Sequence, residues 1–128
     1  MATVNVLIIV DVEGAQTSGL QQNVYLVDTN KYMGSYNQGQ VELVTVLGQG
    51  DTIIWSVAPI KPGTNVAIQA FTGQAVGVNV TPAAYPNGSW GSIFAAAPYV
   101  SGNQFQYSVT LNFDGAAPQT FDPFLRCK

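Results

Sequence analysis

Residues 104–114 read Gln-Phe-Gln-Tyr-Ser-Val-Thr-Leu-Asn-Phe-Asp, and no other run constrains the fold as tightly. Phe105, Tyr107, Val109, Leu111 and Phe113 fall on one parity, and Gln104, Gln106, Ser108, Thr110 and Asn112 fall on the other. Successive side chains of a strand point to opposite faces. A period of two without a miss therefore lays an apolar stripe on a core and a neutral polar stripe toward water or a partner.

The rest of the chain reads as strands built to pack against that stripe. Val4 to Val12 is apolar at nearly every position, which suits a strand covered on both faces. Gly14 to Gln22 is rich in Gly, Ser, Thr and Gln and reads as a loop. Asn23 to Asp28 is a second strand, followed by a polar and aromatic connection through Gly39. Gln40 to Leu47 alternates again, and Gly48-Gln49-Gly50-Asp51 is a turn of the kind that joins antiparallel neighbours. Thr52 to Ala58 carries Trp55 toward the core and ends at Pro59-Ile60-Lys61-Pro62-Gly63. Further strands are expected over 65–71, 75–80 and 120–126, with 92–97 a strand or irregular edge and 83–91 a loop. About nine strands at regular spacing and no convincing amphipathic helix predict an all-β fold, an antiparallel β-sandwich, with jelly-roll or immunoglobulin-like arrangements as alternatives. With no repeat and no linker, residues 1–128 read as one sandwich domain.

Composition narrows the function classes. Charged residues make up 9% of the chain, and four basic against seven acidic side chains leave a net charge of −3 with no basic run. Phosphate backbones and anionic lipid surfaces both call for clustered Lys and Arg, so neither nucleic acid nor membrane is an expected partner. No run approaches the roughly 18 apolar residues of a membrane-spanning helix. The first residues lack a positive n-region and meet Asp11 and Glu13 early, so a cytoplasmic protein without a signal peptide is expected. Cys127 is the only cysteine; it cannot form an intrachain disulfide, and its place beside the C-terminus suggests an exposed thiol.

Chemistry is harder to place. The absence of histidine removes the common nucleophile–His triads, imidazole metal sites and the usual neutral-pH general base. A carboxylate pair across a cleft is the remaining hydrolytic design. Asp28, Asp51 and Asp114, however, sit at strand ends where Asp favours turns. No enzyme, catalytic residue, metal site or cofactor is therefore expected. Asp11 and Glu13 share parity at the end of an apolar strand, so their carboxylates are expected to point together toward a loop-rich end, with Asp122 the third acid of interest. Tyr32, Tyr36, Tyr85, Trp90 and Tyr99 lie in Gly-, Asn- or Pro-rich connections, where rings and amides can serve a sugar site or a protein interface.

Two functional readings follow. The first is a non-enzymatic homo-oligomer. So few charges give weak repulsion between copies, and few lysines leave strand edges poorly guarded. The second is a small lectin-like module whose glycan ligand contacts Asp11, Glu13, Asp28, Asn30, Tyr32, Trp90 and Asp122. Calcium enters only under this second reading, through oxygen ligands from the same loops.

Three pieces together resemble a bacterial family, the AidA/PixA-type inclusion body proteins. They are Leu7-Ile8-Ile9-Val10-Asp11-Val12-Glu13, Gly50-Asp51-Thr52-Ile53-Ile54-Trp55 and Phe121-Asp122-Pro123-Phe124-Leu125. The resemblance implies a cytoplasmic β-sandwich, sometimes abundant enough to form intracellular inclusions, without established enzymatic activity. It also implies regulation tied to population density or stationary phase. It carries no catalytic residues onto this chain.

Overall fold

A computed structural model describes residues 1–128, and its strands form three hydrogen-bonded sheets around a core cluster of 26 buried residues. The first sheet has five strands in the order β2-β1-β4-β7-β6, where β1 is Thr3–Val10, β2 Val24–Asp28, β4 Thr52–Pro59, β6 Ala83–Ala84 and β7 Trp90–Ile93. The second is β10-β9-β5, with β5 at Val66–Thr72, β9 at Ser108–Phe113 and β10 at Ala116–Phe121. The third is β3-β11-β8, with β3 at Val44–Leu47, β8 at Gln104–Gln106 and β11 at Phe124–Cys127.

The two smaller sheets are joined by the alternating run. It divides at Tyr107 into β8 and β9, and its partner divides at Asp122-Pro123 into β10 and β11. The register nevertheless carries through. Val109 faces Phe121 in one sheet, Gln106 faces Phe124 in the other, and between them the Tyr107 N–H donates to the Pro123 carbonyl at 3.0 Å. A long hairpin thus links both small sheets into one layer opposite the five-stranded sheet, which is the expected sandwich. Tyr107, Val109, Leu111 and Phe113 are buried and Phe105 is half-buried, as the period of two requires.

Several local features differ from expectation. There are eleven strands: the run at 104–113 and the segment 116–127 each supply two, the expected loop 83–91 contains the short β6, and the strand expected at 75–80 does not form. Not every pair is antiparallel: β1 lies parallel to β4, and β11 parallel to β3. The 40–47 segment is a strand only from Val44, and 75–80 is a set of turns with a single bridge from Val76 to Val80. Gly14 to Gln22 is not a loop. It holds α1 (Val12–Ser18) and a 3-10 turn at Leu20–Gln22. A helix this short leaves little periodicity to read, and it is held by burial of Val12, Ala15 and Leu20 and by the Asp11 carboxylate, which accepts from the Gly14 N–H at 3.0 Å. A β-carbon at Gly14 would displace the Asn23 carboxamide and crowd the Asp11 carboxylate that caps the helix.

Cys127 is 2% exposed, on an inward position of β11, which corrects the expectation of an exposed thiol; burial pushes its pKa up and disfavours the thiolate. The turn before β4 is set by Asp51, whose Oδ1 accepts from the Ala2 N–H at 2.9 Å and Oδ2 from the Gly48 N–H at 2.8 Å. Both bonds are to a carboxylate and are partly buried. Asp51→Ala is expected to cost about 2–3 kcal/mol in urea denaturation, by freeing the start of β1 and the turn together. A loss under about 0.5 kcal/mol, the size of a neutral surface change, would contradict this role.

Candidate functional site

The acids expected to converge are each engaged elsewhere. Parity ceases to apply at Val10, where β1 ends, because Asp11 caps α1 and Glu13 lies on it, so the two carboxylates take different partners. Asp11 is committed to the Gly14 N–H, and Glu13 pairs with the Lys61 ammonium at 2.5 Å on the surface. That pair raises the Lys61 pKa, chiefly through the hydrogen bond. Asp122, between β10 and β11, accepts from the Ser108 hydroxyl at 2.7 Å. No group of three or more Asp, Glu or Cys side chains is placed to share a metal ion.

Asp28 and Asn30 are brought together, and their bonds show what they do. Asp28 Oδ1 accepts from the Asn30 N–H and from Gln38 Nε2, both at 2.9 Å, while Oδ2 is buried without a hydrogen-bond partner. Asn30 Nδ2 donates to the Val46 carbonyl at 2.6 Å. The aromatic candidates divide. Tyr32 is 92% exposed with the Lys31 ammonium 5.7 Å from its ring centre, whereas Trp90 is half-buried against Phe71, ring centres 5.3 Å apart. Tyr99 donates toward the Leu47 and Lys128 carbonyls, each at 3.1 Å, and so ties down the C-terminus.

These amide contacts guard strand edges. On β3, the Val46 N–H donates to Ser35 Oγ at 2.9 Å, its carbonyl takes Asn30, and Val44 exchanges both backbone bonds with Tyr36. On β2, the Asp28 N–H donates to Gln38 Oε1 at 2.9 Å and the Leu26 carbonyl accepts from the Gly39 N–H at 2.6 Å. β6 is two residues long, β5 is bulged between Ile68 and Ala70, and β10 carries Pro118 and a register shift. Short, bulged or covered edges resist pairing with other chains. The expectation of poorly guarded edges is therefore corrected: side-chain amides and bulges do here what lysines do elsewhere.

One sheet face is left partly open, with the Tyr85 ring lying over it at Gly91. In the five-stranded sheet Val4, Val6, Ile8 and Val10 point into the core, so the alternate side chains of β1 point outward. Leu7 lies between Val27 and Ser56, and Ile9 between Tyr25 and Ala58. Ile54 is flanked by Asn5 and Gly91, and Thr52 by Thr3 and Ile93. Leu7 is 38% and Ile93 65% exposed, and no Asp, Glu, Lys or Arg stands in these rows. The outward face of the opposite layer is polar by contrast, with Thr110 against Thr120 and Arg126 bonded to Gln104. The sheet face was missed as a site in the sequence, although part of its signal was present: Leu7-Ile8-Ile9-Val10 and Ile53-Ile54 are apolar on both parities.

Among solved structures, the chain is similar to the crystal structure of an inclusion body protein (PixA) from Burkholderia cenocepacia J2315. The TM-score is 0.73 at 11% identity, over 99% of this chain and 95% of that one. At that identity the likeness establishes the fold alone. No curated protein matches the sequence. A family model described as a domain of unknown function, DUF8788, matches residues 2–119. Since the match spans most of the 128 residues, the chain belongs to the DUF8788 family.

Proposed function

We propose that this protein is a non-enzymatic, self-associating protein of the inclusion-body type, acting in the cytoplasm. The observation that carries this reading is the outward face of the five-stranded sheet, apolar and free of formal charge, where a sandwich face turned to water is ordinarily polar. The scarcity of charge over the whole chain supports it, since copies repel one another weakly. So does the shared fold with a protein described as an inclusion body protein.

Sedimentation velocity from low micromolar to near-millimolar concentration tests the reading. The mass should rise above that of the 13.6 kDa chain as concentration increases. A single monomer boundary throughout that range overturns it.

A further inference from the structure

We infer that Asp28, Thr45 and Tyr107 form an internal site between the two layers that binds one water molecule, and that this water fastens the edge cover of residues 30–39 to the core. The inference is independent of self-association.

Two buried oxygens point to the site. Asp28 Oδ2 and Thr45 Oγ1 are both shut off from bulk solvent, and neither has a hydrogen-bond partner in the chain. Thr45 is completely buried. A buried oxygen left unpaired gives up its hydration without return, so such atoms in folded proteins ordinarily hold an ordered water.

Topology brings the groups together. Asp28 ends β2 on the parity of the buried Val24 and Leu26, and Thr45 lies on β3 on the parity of the buried Leu43 and Leu47. Both side chains therefore enter the interior, one from each layer. Asn30 spans the gap between the two strands. Its N–H donates to Asp28 Oδ1, and its carboxamide donates to the carbonyl of Val46, the residue after Thr45.

Tyr107 supplies the third group. Asp28 pairs with Val6 and Val6 with Trp55, so Asp28 lies in the same inward row as Trp55, two strand spacings or about 10 Å away. The Trp55 indole N–H donates to the Tyr107 oxygen, while the phenol proton goes to no acceptor in the chain. Burial is the larger cause of that proton's retention, and the negative charge of Asp28 adds to it, which agrees with a carboxylate close by. On the other side, Pro123 accepts from the Tyr107 N–H, and its neighbour Phe124 donates to the Leu43 carbonyl, two residues before Thr45.

The chemistry of the three groups selects the occupant. Asp28 Oδ2 needs a donor, the phenol proton needs an acceptor, and the Thr45 hydroxyl can be either. Water donates and accepts at once, and three partners are the usual number for a buried one. A cation could neutralise the carboxylate, but it has no lone pair for the phenol proton, and calcium calls for six or more oxygens.

A high-resolution crystal structure should show an ordered water within about 3.2 Å of Asp28 Oδ2 and Thr45 Oγ1, with the Tyr107 hydroxyl as its third partner. A direct bond from the Thr45 or Tyr107 hydroxyl to Asp28 Oδ2, with no water between, overturns the inference, as does a coordinated cation. In solution, oxygen relaxation dispersion of the solvent counts waters held longer than the protein tumbles. Thr45→Val keeps the side-chain shape and removes the hydroxyl, so it should lose one such water relative to wild type. Thr110→Val, on the outward face of the second layer, should lose none. An unchanged count in Thr45→Val contradicts the site, and if that variant fails to fold, the wild-type crystal structure decides alone.

Discussion

Trp55→Ala should lower the stability of this protein by about 3–5 kcal/mol, the range for deleting a large aromatic side chain from a core. Trp55 is completely buried on β4, beside Val6 of β1 and Trp90 of β7. Its ring centre lies 4.6 Å from that of Phe71 and 5.7 Å from that of Tyr107, both in the opposite layer. Its indole N–H donates to the Tyr107 hydroxyl at 3.1 Å. One side chain therefore fastens the two layers by contact and by a hydrogen bond, and its loss opens a cavity between them. Against a total of about 5–15 kcal/mol for a folded domain, that is a large fraction. Urea denaturation measures it through the midpoint at constant slope. A cost below about 1 kcal/mol would mean that the layers are not held together at this point.

The second large effect is alkaline destabilisation through Tyr107. Burial in apolar surroundings holds this phenol well above its ordinary value of 10.0, and the bond from Trp55 only partly opposes that. Between about pH 10 and the folded-state value, the unfolded chain has lost the phenolic proton while the folded chain retains it. The unfolded state then binds fewer protons, so stability falls as pH rises. The contribution is fully present below about pH 10 and declines by about 1.4 kcal/mol for each pH unit above it.

Tyr107→Phe separates this from the other groups that titrate in the same range. The variant should be about 1–3 kcal/mol less stable at neutral pH, because the Trp55 N–H loses its buried acceptor. It should also lose stability less steeply above pH 10, so that the two curves converge. Tyr99 and Lys61, whose pKa values are raised as well, are common to both proteins and drop out of the difference. Parallel curves for wild type and variant above pH 10 would refute the assignment to Tyr107.

Much of the fold was legible because burial follows local alternation. Val109, Leu111 and Phe113 face inward as their parity requires, and Trp55 lies in the core where a mid-strand tryptophan is expected. What failed depended on partners distant in sequence. Ala75 to Val80 has strand-like residues but makes turns, since only Ala75 bonds a strand, at Gln106 of β8, and Asn79 takes up with Ala95 outside any strand. α1 was hidden by its polar composition and its length. The parallel pairing of β1 with β4 brings together residues about 49 positions apart, beyond the reach of turn chemistry.

The candidate site divides along the same line. Asp11, Glu13, Asp28, Asn30 and Asp122 attract notice in a sequence because ionisable and amide groups can carry chemistry. In the folded chain each has a bond to a cap, an ion pair, an edge or a neighbouring hydroxyl. Whether a polar residue is free for a ligand depends on what lies within about 3 Å of it, and that is a property of the assembled chain.

By itself, the order of residues determined that this chain builds layered strands, that it lacks imidazole chemistry and that it carries little charge, because these follow from side-chain identity and alternation. Only the tertiary structure decided which strands became neighbours and which edges were closed. It also decided that Leu7 and Ile9 of β1 were left facing outward. Pairing and exposure are set by contacts between distant segments, and no local pattern encodes them.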